Sequence, residues 1–141
     1  MVTINTEFSL SDPVKVKGAN NADIPGVVRS IHYGTWLSQP IQNRFYVLFN
    51  TPVNGLIGDW YAAAQLFPNG TTSAGTFVSL FDIGATVVAP TPYDTVINST
   101  CTGIHRGPMF SAAIETTYML TYNDPQTFGT GRWHYGAELT A

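Results

Sequence analysis

Apolar and polar positions along this chain alternate in short runs, and no long window repeats them at i, i+3, i+4, so the pattern predicts strands and no firm helix. The clearest run is Asn43 to Asn50, where Phe45, Tyr46, Val47, Leu48 and Phe49 are all strand formers. Thr76 to Ile83, Thr86 to Ala89, Thr95 to Ile97, Met109 to Tyr122 and Trp133 to Thr140 read the same way. Thr3 to Leu10 alternates, and Val27 to Tyr33 is extended in character. The one helix candidate, Trp60 to Leu66, holds three alanines but lies between Gly58-Asp59 and Pro68-Asn69-Gly70, and it reads equally as a buried strand. Turn clusters punctuate the strands at Lys17 to Asn21, Thr51 to Gly55, Pro68 to Gly70, Pro90 to Pro92, Arg106 to Pro108 and Asn123 to Pro125. About eight short strands so divided predict an all-β sandwich, jelly roll or barrel. No internal repeat or linker divides the chain, which is read as one domain over 1–141.

In the stretch Ser111 to Tyr122, Ala112, Ile114, Thr116, Tyr118, Leu120 and Tyr122 share one face, expected to be the core face. Ala113, Glu115, Thr117, Met119 and Thr121 share the other. That face is small and semi-polar, as for a solvent face or one half-covered by a neighbouring subunit.

Composition narrows the function classes. Charged residues make up 11% of the chain, against about 25% in average proteins. Thr, Ser, Asn, Gly and Tyr take their place, which gives a neutral, hydroxyl-rich surface. Net charge is −3, with Lys15 and Lys17 the only lysines and four dispersed arginines. Without a basic patch, nucleic-acid binding and polybasic membrane contact are not expected. No apolar run is long enough to span a membrane, and Met1 to Leu10 lacks the basic start and apolar run of a signal peptide. Cys101 is alone and is expected to be a packing residue.

Catalytic patterns are scarce. His32, His105 and His134 are far apart in sequence and form no metal-ligand motif, so neither a metal nor another cofactor is expected. Asp12, Asp59, Asp94 and Asp124 sit among turn formers, where an aspartate usually caps the backbone. There is no nucleophile elbow, phosphate loop or dinucleotide fingerprint. A small glycosidase would need only two facing carboxylates and stays open as a minor alternative. Aromatic and arginine residues do gather near loops, at Tyr33 to Trp36, Trp60-Tyr61, Tyr93 and Arg132 to Tyr135. A ring accepts the apolar face of a sugar and a guanidinium donates paired hydrogen bonds to hydroxyls. Taken singly, Trp60, Tyr61 and Trp133 each read first as core residues, since aromatics dominate core burial.

Several of these segments fall in the order of a known family. Asp23-Ile24-Pro25-Gly26 is followed by Phe45 to Pro52, by Gly58-Asp59-Trp60-Tyr61, by Thr102-Gly103-Ile104-His105-Arg106, and by Gly131-Arg132 before a closing aromatic strand. In that order and spacing the chain resembles the TNF-like fucose-binding lectin domain of Burkholderia superlectins. The resemblance implies a TNF-like jelly-roll β-sandwich that forms a homotrimer. It also implies fucosylated or related neutral glycans held between protomers without catalysis. By position, the ligand-binding residues would be Tyr61, Tyr93, Thr100, Thr102, Arg106 and Arg132, and guanidinium donors would take the part that calcium plays in other lectins. The chain departs from the pattern in three ways. It has a longer segment between Tyr61 and Arg106, its Ser-Thr-Gly-Arg order is broken, and Val53-Asn54-Gly55 stands where a site tyrosine is expected. The alternative is a receptor-binding head or structural module of a phage fibre or adhesin, which would share the same composition.

Overall fold

A computed structural model describes residues 1–36, 39–90, 96–109, 112–123 and 131–140. The architecture is all-β, with curled antiparallel sheets in a sandwich-like arrangement. The strands are β1 (Val2–Thr6), β2 (Pro13–Lys17), β3 (Asp23–Trp36), β4 (Gln39–Val53), β5 (Leu56–Ala62), β6 (Phe67–Pro68), β7 (Gly75–Ser79), β8 (Thr86–Pro90), β9 (Val96–Gly107), β10 (Glu115–Tyr122) and β11 (Gly131–Tyr135). Short 3-10 turns lie at Ala19–Asn21, Ala63–Gln65 and Gly136–Glu138.

β1 and β7 form a two-stranded sheet of their own. In the large sheet β5, β4, β3, β9, β10 and β11 lie side by side. The long strands carry extra neighbours: β2, itself paired with β6, joins the first half of β3, and β8 joins the first half of β9. Bulges at Val28/Ser30 and Met119/Leu120 help the sheet curl.

Directly opposed residues of an antiparallel pair point to the same side, so the register sorts the two faces. One inner row runs Tyr61, Phe45, Ile31, Arg106, Thr116 across β5, β4, β3, β9 and β10. The next outer row runs Ala62, Arg44, His32, His105, Thr117, Tyr135 and extends to β11. Beneath the inner face lie two core clusters. One is built on Val14, Val28, Phe45 and Val47, the other on Val87, Cys101, Ile104, Tyr118 and Leu120. Phe77 of β7 packs against both and joins the small sheet to the large one. Full burial of each of these side chains is worth about 1.5–3 kcal/mol.

The differences from the sequence expectation have local causes. β2 alternates Val14 and Val16 inward with Lys15 and Lys17 outward, and Asp23 opposite pairs with both lysines. The helix candidate is strand β5 followed by the 3-10 turn at Ala63–Gln65, whose Gln65 Oε1 accepts the Ala62 N–H at 2.9 Å. Thr51 to Val53 extend β4, leaving Asn54 and Gly55 (φ 49° and 81°) as a two-residue hairpin turn. The strand expected from Met109 begins only at Glu115, so Ile114 is 54% exposed rather than in the core.

Candidate functional site

β11 ends at Tyr135, which stands opposite Thr117, so Glu115 and Thr116 at the start of β10 have no β11 residue beside them. The chain then turns through Gly136–Glu138. A groove of about 660 Å³ opens at this corner of the sheet. Arg106, Thr116 and Tyr118 form its floor, Glu115, Tyr135 and Glu138 one wall, and Val78, Leu80 and Ile114 the apolar rim. The rim residues are 56%, 50% and 54% exposed. The Tyr118 hydroxyl holds the Leu80 wall by accepting its backbone N–H at 2.8 Å. Opposite, the Glu138 carboxylate accepts the Tyr135 N–H at 3.3 Å and lies 3.2 Å from His134 Nδ1. The Tyr135 phenol is raised above its ordinary pKa by partial desolvation, with the Glu115 and Glu138 charges and a hydrogen bond to Glu115 adding to it.

Arg106 faces two ways. It also lines a second hollow of about 630 Å³ between the two sheets, with Thr6, Ser9, Thr76 and Phe77. Its Nη1 donates to Thr116 Oγ1 at 3.1 Å, and it takes part in none of the ion pairs among the described residues.

The other residues expected from sequence are spread over both faces. Tyr61 lies in the same inner row as Arg106 but with Phe45 and Ile31 between them, and its ring packs 6.4 Å from Phe49. Burial, with the Asp59 charge adding to it, raises its phenol. Arg132 is exposed on edge strand β11 beside a hollow shared with Trp133, Tyr135 and Glu138. Arg106 pairs with Thr116 and Arg132 with Leu120, on opposite sides of β10. Strand geometry therefore separates their Cα atoms by about 16 Å. Thr100 and Thr102 lie on the outer face: Thr100 Oγ1 donates to Asn123 Oδ1 at 3.2 Å, and the Thr102 and Thr121 hydroxyls are 3.3 Å apart. Tyr93 lies outside the described residues. Among the described residues expected from sequence, therefore, Arg106 alone lines the corner groove within one chain.

A second feature had no sequence signal. His32 and His105 stand directly opposite each other on the outer face, between Trp60 and Trp133. All four ring contacts between these imidazoles and indoles have centroids 5.8–6.4 Å apart and are edge-to-face, and Tyr46 extends the layer from Trp60 at 5.4 Å. Gly103 makes room for it, since a Cβ there would lie 2.8 Å from His32 Nε2. The imidazoles are 4% and 3% exposed. Burial pushes both down to about 4, and for His32 the His105 and Arg44 charges add to the effect. Two neutral imidazoles boxed by indoles make an aromatic layer, a second small core on the sheet's back. Among the described residues no group of three or more His, Cys, Asp or Glu could hold a metal ion, and no helix is long and apolar enough to cross a membrane.

No protein-family model, curated protein or solved structure matches the chain.

Proposed function

We propose that this chain is a non-catalytic carbohydrate-binding module, a jelly-roll trimer of lectin type that holds neutral glycans around Arg106 at the boundary between protomers. The observation that carries the reading is the corner groove. It offers a guanidinium that joins none of the ion pairs among the described residues, the Tyr135 phenol, two carboxylates and a threonine hydroxyl, beside apolar side chains. Hydroxyls of a pyranose are met by the polar groups and its C–H face by Leu80, Ile114 and the rings.

The groove is open, and its rim of half-exposed Val78, Leu80 and Ile114 favours a site completed by another protomer. Arg132, too distant within the same chain, stands on an exposed edge strand from which a neighbouring copy reaches such a groove. The test is a glycan array with the wild-type protein and Arg106→Ala, each sized by light scattering. Binding to a subset of glycans, lost in the variant with the trimer mass unchanged, is the expected result. Binding that survives the substitution, or a monomeric wild type, overturns the reading.

One observation favours a second reading. Glu115 and Glu138 line the same groove, and paired carboxylates are the minimum for a glycosidase. Against it, Glu138 is already engaged by His134 and the Tyr135 N–H. Hydrolysis of chromogenic glycosides that disappears in Glu115→Gln would favour the enzyme.

A further inference from the structure

The two hollows that meet at Arg106 differ in charge. The corner lobe carries the carboxylates of Glu115 and Glu138, which accept hydrogen bonds from hydroxyls and repel anions. The lobe between the sheets is lined by Thr6, Ser9, Gly75, Thr76 and apolar groups, and Arg106 is its one charged lining residue among those described. The two acidic side chains nearest in sequence to this lining are both engaged: Glu7 Oε1 accepts the Asn43 amide at 2.9 Å, and Asp12 accepts the backbone N–H groups of Ser9 and Ser73 at 2.8 and 3.1 Å. The Ser9 hydroxyl donates to the Ser73 carbonyl at 2.9 Å, so the remaining lining hydroxyls are those of Thr6, buried on β1, and Thr76, on the exposed face of β7 at the mouth of the lobe. A guanidinium has five N–H donors in a planar fork, and the bond to Thr116 uses one of them. A half-buried cation with no carboxylate partner among the described residues, beside hydroxyl donors, is matched by a planar or tetrahedral oxyanion, which it grips through paired charged hydrogen bonds.

We infer that the lobe between the sheets, built on Arg106, Thr6 and Thr76, binds the anionic substituent of an acidic sugar, a carboxylate or sulfate, while the corner lobe takes the neutral part of the same glycan. This rests on the glycan reading above and amends it in one respect: the preferred ligand is an acidic oligosaccharide, whose neutral part fills the corner lobe, rather than a wholly neutral one. Val78 and Arg106 line both lobes, so one disaccharide bridges them without leaving the groove.

The test uses calorimetry and NMR titration with four probes: a sialic acid methyl glycoside, its uncharged methyl ester, methyl α-fucoside and inorganic sulfate. The expected result is binding of the acid at least tenfold tighter than the ester in the wild type. That preference is lost in Arg106→Gln, retained in part in Arg106→Lys and weakened severalfold in Thr76→Ala. Sulfate should shift the resonances of Arg106 and Thr76. Equal binding of acid and ester, with fucoside bound and lost in Arg106→Gln, overturns the anion lobe and leaves the glycan reading standing. Sulfate bound at Arg106 with no saccharide bound supports the anion lobe and overturns the glycan reading. If none of the four binds, both fall.

Discussion

Acidification should weaken this fold through the two imidazoles on its outer face. His32 and His105 are nearly sealed from solvent, and their protonation is pushed down to about 4 from the ordinary 6.5. The unfolded chain then takes up protons first as pH falls. Stability from the neutral pair is complete above pH 6.5, is lost progressively below it, and stops falling once pH is under about 4. Once pH is below both values the loss is about 3 kcal/mol for each imidazole, and about 2 kcal/mol of it has already gone at pH 5. The joint loss at pH 5, about 4 kcal/mol, is a large part of the 5–15 kcal/mol typical of a domain. Urea unfolding of the wild type and of His105→Gln at pH 7 and pH 5 measures it. The variant should show about half the pH dependence whatever its absolute stability, since His134 and the carboxylates are common to both proteins. His32→Asn should behave alike. Equal stability of the wild type at the two pH values, or full pH dependence kept in both variants, refutes the reasoning.

Gly103→Ala should cost about 1–3 kcal/mol, because its methyl group would sit 2.8 Å from His32 Nε2 and 3.3 Å from Met119 Cβ; thermal unfolding measures the loss. Tyr118→Phe removes the acceptor for the Leu80 N–H, and should cost about 1 kcal/mol and weaken any ligand held against Leu80, both readable by urea unfolding and titration. Cys101 is fully buried, with its thiol pushed up to about 11 mainly by desolvation. It should therefore resist iodoacetamide in the native protein at pH 8 and react at once in denaturant, as intact-mass spectrometry will show.

The large-sheet strands were legible where alternation or an unbroken apolar run is long. β4 is such a run because its inner face, Phe45, Val47 and Phe49, enters the core while Arg44 and Tyr46 are half-covered on the other side. β2 was hidden because two valines between lysines make too short a pattern, and only pairing with β3 fixes it as a strand. On β10 the core face was legible from Tyr118 onward. The opposite face is explained by neither solvent nor a second subunit at Thr117, which is 0% exposed within the single chain.

The imidazole pair was illegible for a different reason. His32 and His105 are neighbours only because the register of β3 on β9 makes them so, and composition carries no record of register. Arg106 was singled out by resemblance. Its place between two hollows, and its lack of an ion pair among the described residues, came from the fold.

Titration of the isotope-labelled protein with a bound glycan, followed by NMR, tests the central claim most directly. The account predicts that the perturbed resonances cluster at Arg106, Thr116, Tyr118 and Tyr135, at the corner where β11 stops short. Perturbation confined to Trp60, Trp133 and the imidazole layer on the sheet's back would contradict it.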